Sequence, residues 1–181
     1  MINTTMKQVE FCIKNCPKVE LHVHLDGSFE LSLLLEYLKK NEKFHDLYPE
    51  SITLPWSETM PIRKLVQESC SNLSDFTELC TCRGKASLKE MIKCFEIFVP
   101  IVRGNLDILE EQAFRFVKRQ ADQNVIYSEV RYSPHLLADG GSFAMPTNSK
   151  CTADPYPVVD AITRGLQKGE TAYGVKVNQI L

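Results

Sequence analysis

The chain has 181 residues, 44% of them hydrophobic and 24% charged, with a formal net charge of −2. That composition fits one globular domain, or part of a larger one, and excludes disordered, collagenous and membrane-spanning classes. Charges of both signs are mixed, so no basic surface for nucleic acid or membrane is implied, and a small-molecule ligand is the expected partner. Seven cysteines, an odd number with no repeated CxxC spacing, argue against a disulfide framework or a cysteine zinc ribbon. Reduced thiols, no signal-like N-terminus and no apolar run near the ~20 residues needed to span a bilayer make the cytoplasm the expected location.

Lys18 to Leu25 alternates and is rich in Val, Leu and His, which predicts a short strand closed by a turn at Asp26-Gly27. Ser28 is placed to N-cap a helix from about Glu30 to Asn41, with Leu31, Leu34, Leu35 and Leu38 on one face. Residues 45 to 86 are interrupted by Pro49, Pro55 and Pro61, and "RKLVQESCSNLSDFTELC" reads as one or two short helices.

Ser87 and Glu90 fit a capping box, in which each side chain satisfies the other residue's free backbone donor. The helix it opens carries Leu88, Met91, Ile92, Phe95 and Phe98 as an apolar stripe and should end or kink near Pro100. A second long helix follows from Leu106 to Gln123, with Asn124 suited to a left-handed cap. "VIYSEVRYS", 125 to 133, is a β-branched and aromatic strand. Residues 134 to 154 read as a long loop containing Gly140-Gly141. Asp154-Pro155 starts a helix, and Gly174 precedes a last strand, "VKVNQIL". Strands alternating with helices predict a parallel sheet, and three such strands leave its edges open.

In a strand, His22 and His24 project side by side. Two readings fit that spacing: a pair of buried, hydrogen-bonded histidines, or two ligands to one metal, for which neutral imidazole suits zinc. The pair lies at the C-terminal end of the first strand, where α/β enzymes gather their sites. His135 lies at the same rim but reads as a solvated loop histidine, and His45 as exposed. Glu129 and Arg131 share a strand face and read as a buried ion pair. The stripe of Leu88, Met91, Phe95 and Phe98 reads as core, part of it able to border a pocket for a flat apolar ring. No cysteine has a basic neighbour arranged to activate it as a nucleophile. Phosphate-cradling glycine loops and the cysteine-rich signature of cytidine-type zinc deaminases are both absent.

Taken together, "PKVELHVHLDGS" at 17 to 28 and "YSEVRYSPHLLA" at 127 to 138 closely resemble the adenosine deaminase family of the metal-dependent amidohydrolase superfamily. "ITRGLQKGETAYGVKVNQIL", 162 to 181, is similar to that family's helix and third strand, whereas 42 to 86 resembles nothing in it and is longer than the family usually has there. The resemblance implies an α/β fold: the N-terminal portion of a (β/α)8 TIM-type barrel, not closed in this chain. It would be a single incomplete barrel domain, 1–181, with strands near 18–25, 125–133 and 175–181 and a helical insert at about 45–123. It implies Zn2+ as cofactor with His22 and His24 as metal ligands, Asp26 on the ribose, His24 also bordering the substrate, and Leu88, Met91 and Phe95 as a wall over the purine. The implied reaction is hydrolytic deamination of adenosine and 2′-deoxyadenosine to inosine or deoxyinosine plus ammonia, in purine salvage.

The family's catalytic glutamate, third zinc histidine, base histidine and zinc-binding aspartate belong to later strands, so no catalytic residue is expected within this chain; those groups would lie beyond Leu181. A barrel of this type takes about 250 residues. The expectation is therefore an incomplete copy (a fragment, a gene-model error or a truncated splice form) that is inactive alone. Two alternatives are a related AMP, adenine or modified-nucleotide deaminase, and a non-catalytic truncated isoform acting as a binding or regulatory protein.

Overall fold

A computed structural model describes residues 2–41, 51–53, 59–61, 64, 71–82, 84, 87–138 and 153–181. In chain order the elements are helix α1 (Ile2–Asn15), strand β1 (Lys18–His24), helix α2 (Leu31–Lys40) and strands β2 (Ser51–Thr53) and β3 (Thr59–Pro61). There follow helices α3 (Leu73–Cys80), α4 (Leu88–Val102) and α5 (Leu106–Asp122), strand β4 (Val125–Arg131), helices α6 (Pro134–Leu137) and α7 (Tyr156–Tyr173) and strand β5 (Lys176–Ile180). The chain divides into two compact units: Met1–Phe29 with Leu109–Ser133 and Asp160–Leu181, and Glu30–Ile108 with Pro134–Val159.

The first unit holds a parallel sheet in the order β1-β4-β5. Its register runs from Lys18 opposite Val125 to His24 opposite Arg131, with irregularities between Lys18 and Val19 and between Glu20 and Val23, and β5 pairs from Tyr127 opposite Lys176 to Arg131 opposite Ile180. Asn124 takes φ 57°, the left-handed cap its side chain tolerates, and its carbonyl accepts from the Lys18 amide at 2.8 Å, which starts β1 beside β4. Leu109, Ala113, Phe116 and Val117 of α5, Ala161, Ile162 and Leu166 of α7, and Val130 and Val177 of the sheet are buried. Each large apolar side chain so buried contributes about 1.5–3 kcal/mol.

Two glycines let α5 and α7 approach closely. A Cβ on Gly165 would lie 2.1 Å from the Glu110 carbonyl oxygen, and one on Gly169 2.5 Å from the Val117 Cβ. Glu110 fastens the same crossing with Arg164, at 2.8 Å, and Lys168. Beside that crossing, the Tyr132 hydroxyl donates to Gln179 and Gln179 donates to Thr163 of α7, tying β5 to the helix. The sheet does not close on itself, and Val19 and Leu21 of its outer strand β1 stand exposed.

In the second unit α2, α3 and α4 pack on one another through Leu34, Leu35 and Leu38, Phe76 and Leu79, and Ile97, Phe98 and Ile101. Ser87 caps α4 through the full reciprocal box. Gly104, at φ 68°, ends the segment after α4 and donates its amide to the Leu137 carbonyl of α6 at 2.8 Å.

Several sequence expectations change. Ser28 does not cap α2; its hydroxyl turns back to the His24 carbonyl at 2.6 Å, and Glu30 takes the N-cap position without capping the helix amides, its carboxylate accepting instead from the Ser32 hydroxyl at 2.6 Å. The end expected near Pro100 does hold, since α4 stops two residues later at Val102 with the proline carried inside its last turn. The 134–154 loop opens with the helical turn α6, and most of the rest, Gly140-Gly141 included, lies outside the described residues. Ser51–Thr53 and Thr59–Pro61 pair as an antiparallel ladder in a stretch read only as broken by prolines. Helix α1 was not anticipated; its Met6, Val9, Phe11 and Ile13 are exposed. Leu88, Met91 and Ile92 are exposed as well, so the apolar stripe of α4 is core only from Cys94 onward.

Candidate functional site

The C-terminal end of β1 is held in place from two sides. The Leu25 amide donates to the Arg131 carbonyl of β4 at 2.8 Å, and the Ser28 amide and hydroxyl close the turn onto Leu25 and His24. Leu25 is fully buried, so the strand end cannot rotate without pulling that side chain from the core. His22 and His24 then stand next to each other, ring centroids 5.4 Å apart and tilted by 31°. Neither is buried, which removes the reading of two core histidines.

Asp26 is the buried member of the group. Its Oδ2 accepts from the Ser133 amide at 3.3 Å, so the segment after β4 helps hold it. Its Oδ1 lies 3.5 Å from the His24 Nδ1, too long for a strong hydrogen bond, and has no hydrogen-bond partner. A buried acceptor left unsatisfied costs about 1–3 kcal/mol, a cost that a ligand donor would remove. An orphaned carboxylate oxygen beside two accessible imidazoles is a polar site with unused capacity. Among the described residues no cluster of three or more His, Cys, Asp or Glu side chains has a metal-binding arrangement, so the imidazole pair by itself is a partial donor set.

The expected Glu129–Arg131 ion pair does not form. Glu129 accepts instead from the Tyr127 hydroxyl at 3.0 Å, Asn178 donates to that same hydroxyl at 2.9 Å, and the buried Nε of Arg131 has no partner. The acidic neighbour holds the Tyr127 phenol above its ordinary pKa. This Tyr127–Glu129–Asn178 chain was missed from sequence; its signal was the alternation of Tyr127 and Glu129 along β4. His135 is exposed on α6, as expected, and His45 lies outside the described residues.

Leu88, Met91 and Phe95 belong to α4 in the second unit, apart in sequence from the histidine pair. Leu88 is 70% and Met91 51% exposed, while Phe95 is half-buried against Phe98 with ring centroids 4.9 Å apart. The first two are available to a ligand rather than committed to packing.

A family model described as adenosine deaminase matches residues 17–181. The chain belongs to the adenosine deaminase family. It is 34% identical over 168 residues to the adenosine deaminase of Mus musculus, covering 92% of this chain and 41% of that protein. The adenosine deaminase of Clostridium perfringens is 27% identical over 169 residues, covering 92% of this chain and 40% of that one. This chain thus spans about two fifths of the length of its adenosine deaminase relatives.

Solved structures agree on the fold. The adenine deaminase of Arthrobacter aurescens matches with a TM-score of 0.58 at 14% identity, over 90% of this chain and 38% of that one. An Arabidopsis N6-mAMP deaminase matches at 0.55 and 20% identity, over 93% and 41%. An amidohydrolase from Burkholderia ambifaria with bound Zn matches at 0.52 and 18%, over 91% and 35%. The three parallel strands and their helices are the N-terminal portion of this barrel fold.

Proposed function

We propose that this chain carries the first-strand part of a zinc-dependent adenosine deaminase site, whose reaction is the hydrolytic deamination of adenosine and 2′-deoxyadenosine to inosine or deoxyinosine and ammonia. The observation that carries this reading is the adjacent pair His22 and His24 beside the buried, unsatisfied Asp26 carboxylate. His22 and His24 hold the zinc, for which two neutral imidazoles on one strand face are suitable donors. Zinc, when bound, makes water acidic enough to serve as a nucleophile near neutral pH. Asp26 accepts a hydrogen bond from the sugar of the nucleoside, filling the vacancy at its Oδ1, and His24 borders the same substrate. Leu88 and Met91 of α4 are exposed and, with Phe95, offer apolar surface of the kind that a flat purine ring takes.

Catalytic zinc sites use three protein ligands, and proton transfer to the purine ring needs a positioned acid. In this reading His22 and His24 are two of those ligands, and the remaining ligand and the acid come from groups outside the described residues. The unsatisfied Asp26 Oδ1 is an acceptor suited to a sugar hydroxyl, which supports a nucleoside substrate. No described helix is long and apolar enough to cross a membrane, and the cytoplasm is the location proposed with this reading.

The test is a substrate screen on a full-length barrel bearing residues 17–181, offered adenosine, 2′-deoxyadenosine, AMP and adenine. Adenosine and deoxyadenosine should be preferred, and Asp26→Ala should raise KM for both nucleosides. Preference for AMP would overturn the assignment.

A further inference from the structure

Two cysteines that take no part in the site described above sit in contact. The sulfurs of Cys82 and Cys94 are 3.4 Å apart, with Cys94 buried and Cys82 half-exposed. Both positions are fixed by structure: Cys82 follows Thr81, the C-cap of α3, and Cys94 lies one turn beyond Glu90, whose capping box with Ser87 anchors the start of α4. The packing of α3 on α4 keeps the two sulfurs facing each other. A disulfide bond is about 2.05 Å long, so closure needs the sulfurs to approach by about 1.4 Å, within reach of side-chain torsion.

We propose that Cys82 and Cys94 are a redox-active thiol pair that oxidises to an intramolecular disulfide in the presence of a small disulfide such as oxidised glutathione. The half-exposed Cys82 is the entry point. Its thiolate attacks one sulfur of oxidised glutathione, the glutathione S–S bond breaks, and one glutathione leaves as the thiolate. Cys94 then loses its proton and attacks the Cys82 sulfur of the mixed disulfide, releasing the second glutathione. Two protons and two electrons leave the protein, and one oxidised glutathione becomes two reduced ones. Burial, followed by the hydrogen bond shared with Cys82, pushes the Cys94 thiol up to about 12, so the second step is the slow one and quickens with rising pH. The product joins the end of α3 to the second turn of α4.

The 181-residue chain is equilibrated in glutathione buffers of graded redox ratio, alkylated and digested with trypsin without reduction. Arg83 separates the two cysteines in sequence, so trypsin leaves them on different peptides that stay joined only through a disulfide. A Cys82–Cys94 linked peptide should accumulate, disappear on adding dithiothreitol, and show a linked-to-free ratio about ten-fold higher in native buffer than in urea, because folding raises the effective concentration of one sulfur at the other. In Cys94→Ser, Cys82 should carry glutathione instead. Separate glutathione adducts on both cysteines of the unsubstituted chain, preferential pairing of either with another cysteine, or equal linkage in urea would overturn the proposal.

Discussion

Replacing Gly165 by alanine tests the α5–α7 crossing that supports β4 and β5. The new methyl would lie 2.1 Å from the Glu110 carbonyl oxygen and 2.8 Å from the Ala113 Cβ. The first of these is backbone, which no change of rotamer can move, so the helices themselves must part. Overpacking costs about 1–3 kcal/mol, and a clash against backbone falls in the upper part of that range, about 2–3 kcal/mol; alanine gains about 1 kcal/mol in helix propensity over glycine, leaving a net loss of about 1–2 kcal/mol. In a chain of this size each kcal/mol shifts Tm by about 2–4 °C, so Tm should fall by about 2–8 °C. Urea titration followed by circular dichroism gives the same quantity as a lower midpoint at unchanged slope. Gly174→Ala is the control: nothing lies within 4 Å of its position, and its cost comes from its φ of 73° alone. A Gly165→Ala chain as stable as the parent, or more so, would mean that helix propensity wins and that the close crossing is wrong.

The capping box gives a second test: Ser87→Ala should cost about 1 kcal/mol by leaving α4 donors unsatisfied, whereas Ser87→Asp should cost much less, and equal urea midpoints for all three chains would contradict the cap. The Glu110 pairs give a third. Its hydrogen bonds with Lys168 and then Arg164 hold its carboxyl below the ordinary value of 4.5. A depressed folded pKa adds stability above the unfolded value and loses it as pH falls through the folded one. Thermal melts of the parent and Glu110→Gln should therefore differ near pH 7 and converge below pH 4.5; a difference independent of pH would refute the ion-pair account.

Much of the sheet was legible because its signals are local. Alternation marks β1 and β4, the residue that accepts φ 57° marks the turn at Asn124, and the Ser87–Glu90 spacing marks the start of α4. The failures come where tertiary contacts decide. Ser28 has the chemistry of an N-cap, but the turn after β1 brings the His24 carbonyl within reach of its hydroxyl first. The end of α4 near Pro100 is not one of these: the helix stops at Val102, and the buried run from Ile97 to Val102 offsets the hydrogen bond and the clash that the proline costs. The Glu129–Arg131 pair fails because Tyr127, two residues away on the same face, offers a hydroxyl to Glu129.

Within the site, parity along β1 was enough to bring His22 and His24 together, yet burial separated the group in a way that spacing does not express. The histidines are accessible and Asp26 is enclosed, because Leu25 anchors the strand end in the core and Ser133 reaches the carboxylate. The exposure of Leu88 and Met91 was equally hidden: a helical stripe records which residues share a face, not what covers it.

The central claim is that residues 17–181 supply a working half of a zinc adenosine deaminase site through His22 and His24. It is tested most directly by replacing the matched segment of the mouse adenosine deaminase with these residues and measuring zinc content and adenosine turnover of the folded chimera. The chimera should hold zinc and form inosine, His22→Ala and His24→Ala should each abolish both properties, and the 181-residue chain alone should form no inosine. Undiminished turnover in either histidine variant, or measurable turnover by the 181-residue chain itself, would contradict the claim.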